Sequence, residues 1–510
     1  MNAASTFGHD ICGHSAVELR RLIGARQLSP VELMDACIAR IEALNPAINA
    51  IAATDFARAR EAARQAETAV MRGAPLGPLH GLPLGVKDLQ DTAGLLTTYG
   101  NVGLRNNVPT RDNGLVSRLR AAGAIVIAKT NVPDMGAGAN TRNAVWGATG
   151  NPFNPALNAG GSSGGSAAAL ATDMLPLATG SDTGGSLRIP AAYCGVVGLR
   201  PSPGLVANDV RPLGWSSISV LGPMGRDIAD TALLLASSQA FDPRDPLSYP
   251  SISNSLPMVD LASLRVGYSE DLGVAIVDDE IRRVFRDRVE ALRPLVALCE
   301  PVALATGDAD RAFDILRAES FYAAFADTYR TSPETLGPNV RANVEIAANI
   351  TLGDRAWAHL AQTRIARNFA AAFEHYDVII APVISVTPFP WTELYASTVN
   401  GVAMRNYYHW MALAYTATLA TNPALSLPCG VDEHGMPFGL QMIGRLRGDW
   451  ALLGAAAALE AAFKGHERRR RPRPDLAKLR EPQPRLKSIV THPPFAAASA
   501  AATETVGNAV

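Results

Sequence analysis

Gly160-Gly161-Ser162-Ser163-Gly164-Gly165-Ser166 and Gly180-Ser181-Asp182-Thr183-Gly184-Gly185-Ser186 are two glycine-serine segments, with Ser162 and Ser186 standing 24 residues apart. The Ala-rich stretch Ser166 to Thr172 between them predicts a helix, and Leu175 to Thr179 predicts a strand. A loop, a helix, a strand and a second loop in that order can return two serine-bearing turns to one point. Glycines permit the tight backbone and close approach that such turns need, and successive free N–H groups can stabilise a developing negative charge. A bland reading, two tight connections with no chemistry, explains one such loop better than two. A phosphate cradle is disfavoured, because the chain contains neither GxxxxGK[ST] nor GxGxxG.

Working outward, short apolar runs at Leu82 to Val86 and Ala124 to Ala128 flank a helical stretch near Leu115 to Ala122. This is the rhythm of an α/β sheet. Further upstream, Ser15 with Glu18 and Ser29 with Glu32 predict capped helices within 15–44, with Pro30 at a first helical position. Downstream, Leu264 to Tyr268, Val378 to Val383 and Ala424 to Leu427 read as strands. Asp278 to Leu292 and most of 310–375 read as helices, and the proline-rich 242–257 as a surface loop.

The 510 residues are 48% hydrophobic and 18% charged with a net charge of −1, a composition that supports a sizeable core and creates no field for nucleic acid or an anionic membrane. Cys12, Cys37, Cys194, Cys299 and Cys429 are odd in number and scattered. Neither disulfides nor a cysteine metal site is expected, and a cytoplasmic location fits best. The N-terminus lacks the pattern of a signal peptide, and no stretch has the uninterrupted apolar length of a membrane span. The nine histidines form no HExxH and no ligand cluster, so no metal is expected. The basic run Arg468 to Arg471 and the Ala/Thr-rich end read as a solvated, partly disordered tail over 466–510, following one domain over 1–465.

GGSSGGS (160–166) and GSDTGGSLRIPAAYCGVVGLRPS (180–202), together with GLPLGVKDL (81–89), AKTNVPDMG (128–136), NPALSLPCG (422–430) and GMPFGLQ (435–441), closely resemble the amidase signature hydrolases. The resemblance implies a single α/β/α domain with a large mixed sheet flanked by helices. It implies a catalytic set in which Lys87 is the base, Ser162 relays a proton and Ser186 is the nucleophile, with a cis peptide before Ser162. It further implies an oxyanion hole from the backbone amides of Thr183, Gly184, Gly185 and Ser186, and no cofactor. Asp182 and Arg188 are expected to hold the loop, with Ser163 in support. A small-molecule amide is the implied substrate, carbamates and esters being accessible to the same machinery. Many relatives are homodimers.

A lysine base must be uncharged, because an ammonium has no lone pair, so burial must favour the neutral amine. The bland alternative is a surface Lys87 paired with Asp88. A second alternative makes Ser163 the nucleophile, since Gly161-Ser162-Ser163-Gly164-Gly165 also satisfies GxSxG; it then needs a late histidine, for which His409 and His434 are available. The glutaminase subunit of a tRNA-dependent amidotransferase is the runner-up within the resemblance. Those subunits generally carry an acidic residue where Met411 aligns here, and a glutamine where Ile189 stands. Both departures favour an amidase for an uncharged aryl or alkyl compound, with Trp146, Tyr193, Trp215 and Trp410 as candidate pocket aromatics. A non-catalytic binding protein on the same fold would be expected to have lost one of Lys87, Ser162 and Ser186, and all three are present.

Overall fold

A computed structural model describes residues 10–495. Its centre is one mixed sheet of 11 strands flanked by helices. Numbered within that sheet, the strands are β1 (Ile51–Thr54), β2 (Pro83–Lys87), β3 (Ile125–Thr130), β4 (Leu177–Asp182), β5 (Val197–Arg200) and β6 (Val220–Gly225). The remaining five are β7 (Arg265–Tyr268), β8 (Leu298–Pro301), β9 (Val378–Pro382), β10 (Ala424–Val431) and β11 (Pro437–Ile443). Their spatial order is β1-β3-β2-β4-β6-β5-β10-β11-β9-β7-β8. The α/β class expected from the sequence is the class observed.

Most of these strands are near-continuous apolar runs buried along their length, as a sheet covered on both faces requires. β2 lies parallel to β3 on one side and to β4 on the other. Lys87 ends β2 and Asp182 ends β4, so two neighbouring parallel strands deliver their last residues to the same edge of the sheet. The helix Gly164–Ala171, buried at every position, connects the first glycine-serine loop to β4. A second short buried helix, Arg188–Cys194, follows the other loop and leads into β5.

The capping reading holds locally. The Ser29 hydroxyl accepts from the Val31 N–H and Glu32 Oε2 accepts from the Ser29 N–H, opening the helix Pro30–Ile48. Ser15 caps Ala16–Gly24 by accepting from the Glu18 N–H. The helix over 30–48 runs past Leu44 because Asn49, in the left-handed region at φ 55°, terminates it.

The expected boundary at residue 465 is not where packing ends. One contiguous core extends from Cys12 to Leu479. Leu479 and Leu486 are 2% and 1% exposed, Arg471 Nε donates to the Gly195 carbonyl at 3.0 Å, and the Gln483 N–H donates to the Pro46 carbonyl at 3.0 Å. The reading of 466–510 as a solvated tail is therefore corrected for 466–495: apolar side chains spaced among the charges give this segment something to bury. The Ala/Thr-rich end at 496–510 lies outside the described residues.

Leu479→Ala should cost about 2–4 kcal/mol by leaving a cavity where the segment meets the core. Denaturant unfolding measures it, and wild-type stability in the variant would mean that the segment contributes nothing to the fold.

Candidate active site

The two glycine-serine loops meet at the end of β2. Lys87 Nζ lies 2.8 Å from Ser162 Oγ, 2.8 Å from Ser163 Oγ and 2.9 Å from Ser181 Oγ. Its side chain is fully buried, and the Lys87 N–H is fixed by donation to Thr179 Oγ1 on β4 at 3.0 Å. Burial pushes the Lys87 amine down to about 7 against the opposing attraction of Asp182. The peptide Gly161–Ser162 is cis. The Ser163 N–H donates to the Ser186 carbonyl at 3.3 Å, tying the first loop to the second.

The reading of Lys87 as a surface partner of Asp88 is excluded by this burial. Asp88 turns the other way, accepting from the Thr98 N–H and hydroxyl. Lys129, at the end of β3, is likewise buried and is pushed down to about 8 by burial; its Nζ donates to the Gln90 carbonyl and to Thr92 Oγ1.

Asp182 organises the second loop. Its Oδ1 accepts from the Gly185 N–H at 2.8 Å and its Oδ2 from the Leu187 N–H at 3.1 Å. Arg188 grips both oxygens, at 2.9 and 3.0 Å, and Arg200 reaches Oδ1 at 3.4 Å and the Asp182 carbonyl at 2.8 Å. Burial alone would raise the carboxyl, but the two guanidinium groups outweigh it and hold Asp182 well below the usual carboxylate range. Through these contacts Asp182 and Arg188 tie the second loop to the sheet end. Gly185 is different from the expectation: its N–H is already given to Asp182, so it is not free for an oxyanion. Gly185 also has φ +115°, and a Cβ there would lie 2.6 Å from Ala414 Cβ and from Ile189 Cδ1. Glycine is required at that position by packing.

A cavity of about 350 Å³ holds Ser162, Ser181, Thr183 and Ser186 in its wall. A larger one of about 960 Å³, beside Arg226, Glu460 and Arg471, includes none of the candidate residues, so chemistry rather than size selects the site. Of the four aromatic candidates, none lines the cavity that holds Ser162 and Ser186. Trp146 donates to Thr98 Oγ1, the Tyr193 hydroxyl to the Val386 carbonyl and Trp410 to the Tyr407 carbonyl, while Trp215 is 80% exposed beside a neighbouring recess. Tyr99, Phe321 and Phe325 line it instead. Met411 and Ile189 are buried behind the loop: a Cβ on Gly184 would stand 3.5 Å from Met411 Cε.

His409 Nε2 is 2.9 Å from Asp310 Oδ2, and His434 stands at the surface near Glu280 and Glu433, so neither pairs with Ser163. The sequence reading missed Ser181 and Arg200. Ser181 lay inside the quoted motif, and a lone arginine closing the buried run Val197–Arg200 was the available signal for the other.

A family model described as Amidase matches residues 32–453. The chain belongs to the amidase signature family. It is 33% identical over 458 residues to an acylamidase of Rhodococcus erythropolis, covering 88% of this chain and 95% of that one. Against a glutamyl-tRNA(Gln) amidotransferase subunit of Acaryochloris marina it is 32% identical over 471 residues, covering 87% and 96%. The solved structure of a bacterial aryl acylamidase of the amidase signature family superposes with a TM-score of 0.83 at 28% identity, covering 88% of this chain and 96% of that one. This amidase signature chain is thus a hydrolase of C–N bonds. Among the described residues no helix is long and apolar enough to cross a membrane.

Because folding lowers the Lys87 pKa, the unfolded chain binds more protons between about pH 7 and the ordinary lysine range, and stability should rise with pH across that window. Lys87→Met should flatten this part of the profile. Denaturant unfolding at a series of pH values checks it, and an unchanged slope would mean that Lys87 is not the group responsible.

Proposed function

We propose that the chain hydrolyses small aryl or alkyl amides, uncharged at the reacting end, through an acyl-enzyme on Ser186 with Ser162 as relay and Lys87 as base. The observation that carries this reading is a lysine amine, its pKa lowered by burial to about 7, 2.8 Å from Ser162 Oγ in a site whose cavity wall also holds Ser186. A scaffold protein has no use for that arrangement, since burying an amine without a role costs stability.

In the first half-reaction Ser186 Oγ bonds to the carbonyl carbon as its proton passes to Ser162 Oγ, and the Ser162 proton passes to Lys87 Nζ. The carbonyl oxygen becomes an oxyanion facing the N–H groups of Thr183, Gly184 and Ser186, the donors left once Gly185 is committed to Asp182. The C–N bond then breaks, and the Lys87 ammonium returns a proton through Ser162 to the departing nitrogen. Water repeats the sequence on the acyl-enzyme, giving the acid and restoring Ser186. The Ser163 and Ser181 hydroxyls, both on Nζ, orient the amine toward this relay.

Leu89, Met135, Leu221, Phe321 and Phe325 in the cavity wall support an apolar acyl or amine group, as does the similarity to acylamidases. The amidotransferase reading is weaker, because the buried, uncharged Met411 offers no counter-charge to an α-ammonium.

The rate of amide cleavage, read as kcat/KM, should rise about tenfold per pH unit below about 7 and level off above it, as Lys87 loses its proton. Ser186→Ala should abolish both cleavage and labelling by a fluorophosphonate, and Lys87→Ala should slow acylation by about three orders of magnitude or more. Labelling at Ser163, or near-normal turnover in a folded Lys87→Ala variant, would overturn the assignment.

A further inference from the structure

The helix Ala309–Thr331 places Arg317, Ser320, Phe321, Ala324 and Phe325 in the wall of the catalytic cavity, the three- and four-residue spacing of a single helical stripe. Arg317 is 4% exposed. Its guanidinium carbon lies 4.7 Å from the Phe321 ring centre, 5.2 Å from Tyr408, 5.5 Å from Tyr407 and 5.8 Å from Phe313. Its Nη2 donates to the Tyr407 hydroxyl at 2.5 Å, an oxygen that also accepts from Asn343 Nδ2 at 2.7 Å. Its Nε is buried and has no hydrogen-bond partner among the described residues.

No carboxylate among the described residues pairs with this cation. Of the acids on its own helix, Asp310 and Asp314 are held by Arg405 at 3.4 and 3.1 Å, Glu319 by Arg355 at 2.6 Å and Asp327 by Arg330 at 2.9 Å. Arg211, the other guanidinium in the cavity wall, is matched by Asp245 at 3.3 Å. Asp91, also in the wall, accepts from the Tyr99 hydroxyl at 2.8 Å. An arginine stays protonated, and aromatic faces attract it without accepting its directed N–H groups. A buried charge of this kind calls for an anion that can take the fork.

We infer that Arg317 is a specificity-determining residue that receives a carboxylate on the substrate, remote from the scissile carbonyl. The inference rests on the amidase reading and deepens it: the substrate class becomes aryl or alkyl amides with an anionic far end, such as half-amides of dicarboxylic acids. The apolar stripe around Arg317 then carries the spacer. This revises the sequence expectation of a wholly uncharged compound.

The test compares the mono-4-nitroanilides of succinic, glutaric and adipic acid with their methyl esters, reading release of 4-nitroaniline. Wild type should favour the best carboxylate over its ester by about 100-fold in kcat/KM. Arg317→Gln should bring that ratio toward unity, and Arg317→Lys should restore part of it, keeping the charge and losing the fork. Equal rates on acid and ester at all three lengths, or a ratio unchanged in Arg317→Gln, would overturn the inference while leaving the amidase reading intact. Should the variants not fold, fluorophosphonate labelling of wild-type Ser186 decides: benzoate and phenylacetate should slow it and benzyl alcohol should not, and equal protection by all three would count against Arg317. Absence of both labelling and cleavage would instead sink the amidase reading.

Discussion

The site depends on one buried carboxylate. Asp182 accepts from two backbone N–H groups of the loop that follows it and from two arginines, none of them in contact with solvent. Removing the carboxylate would leave two buried arginines without a counter-charge, a change of a kind that typically costs about 3–5 kcal/mol. What the network achieves is not chiefly stability, since apolar replacements of buried ion pairs can be as stable. It fixes the direction of four consecutive peptide groups, and a serine at the end of them can occupy only one place.

Lys87 is the counterpart on the neighbouring strand, and its chemistry follows from its surroundings. Three hydroxyls solvate the amine without bringing a charge to it, and the nearest acid spends its oxygens on arginine. Burial therefore wins over attraction, and the amine falls to about 7. A carboxylate in the place of any one of the three serines would hold a proton on the lysine.

Much of this was legible from the sequence, and the reason differs by level. The strands were readable because a covered sheet demands unbroken apolar runs, and the loops because glycine-serine density has few other uses. Lys87, Ser162, Ser163, Asp182 and Arg188 were read from motif resemblance, and their distances bring them together. The pocket was not legible. Trp146, Tyr193 and Trp410 are large aromatics that find hydrogen-bond partners elsewhere in the structure, whereas Phe321, Phe325 and Arg317 lie on a helix whose apolar and polar residues are mixed around its circumference. The segment 466–495 was misread because its charges mask two leucines that dock.

Arg188 is anchored to Gln441 Oε1 at 2.6 Å, across 253 residues of sequence. A ribosome adds about 5–20 residues per second, so about 13–50 s separate the synthesis of the serine loops from the arrival of that anchor. Throughout that interval the nascent chain already carries Lys87, Ser162 and Ser186 but lacks the glutamine that anchors Arg188. The anchor of the serine loop is thus among the last parts of the polypeptide to be made.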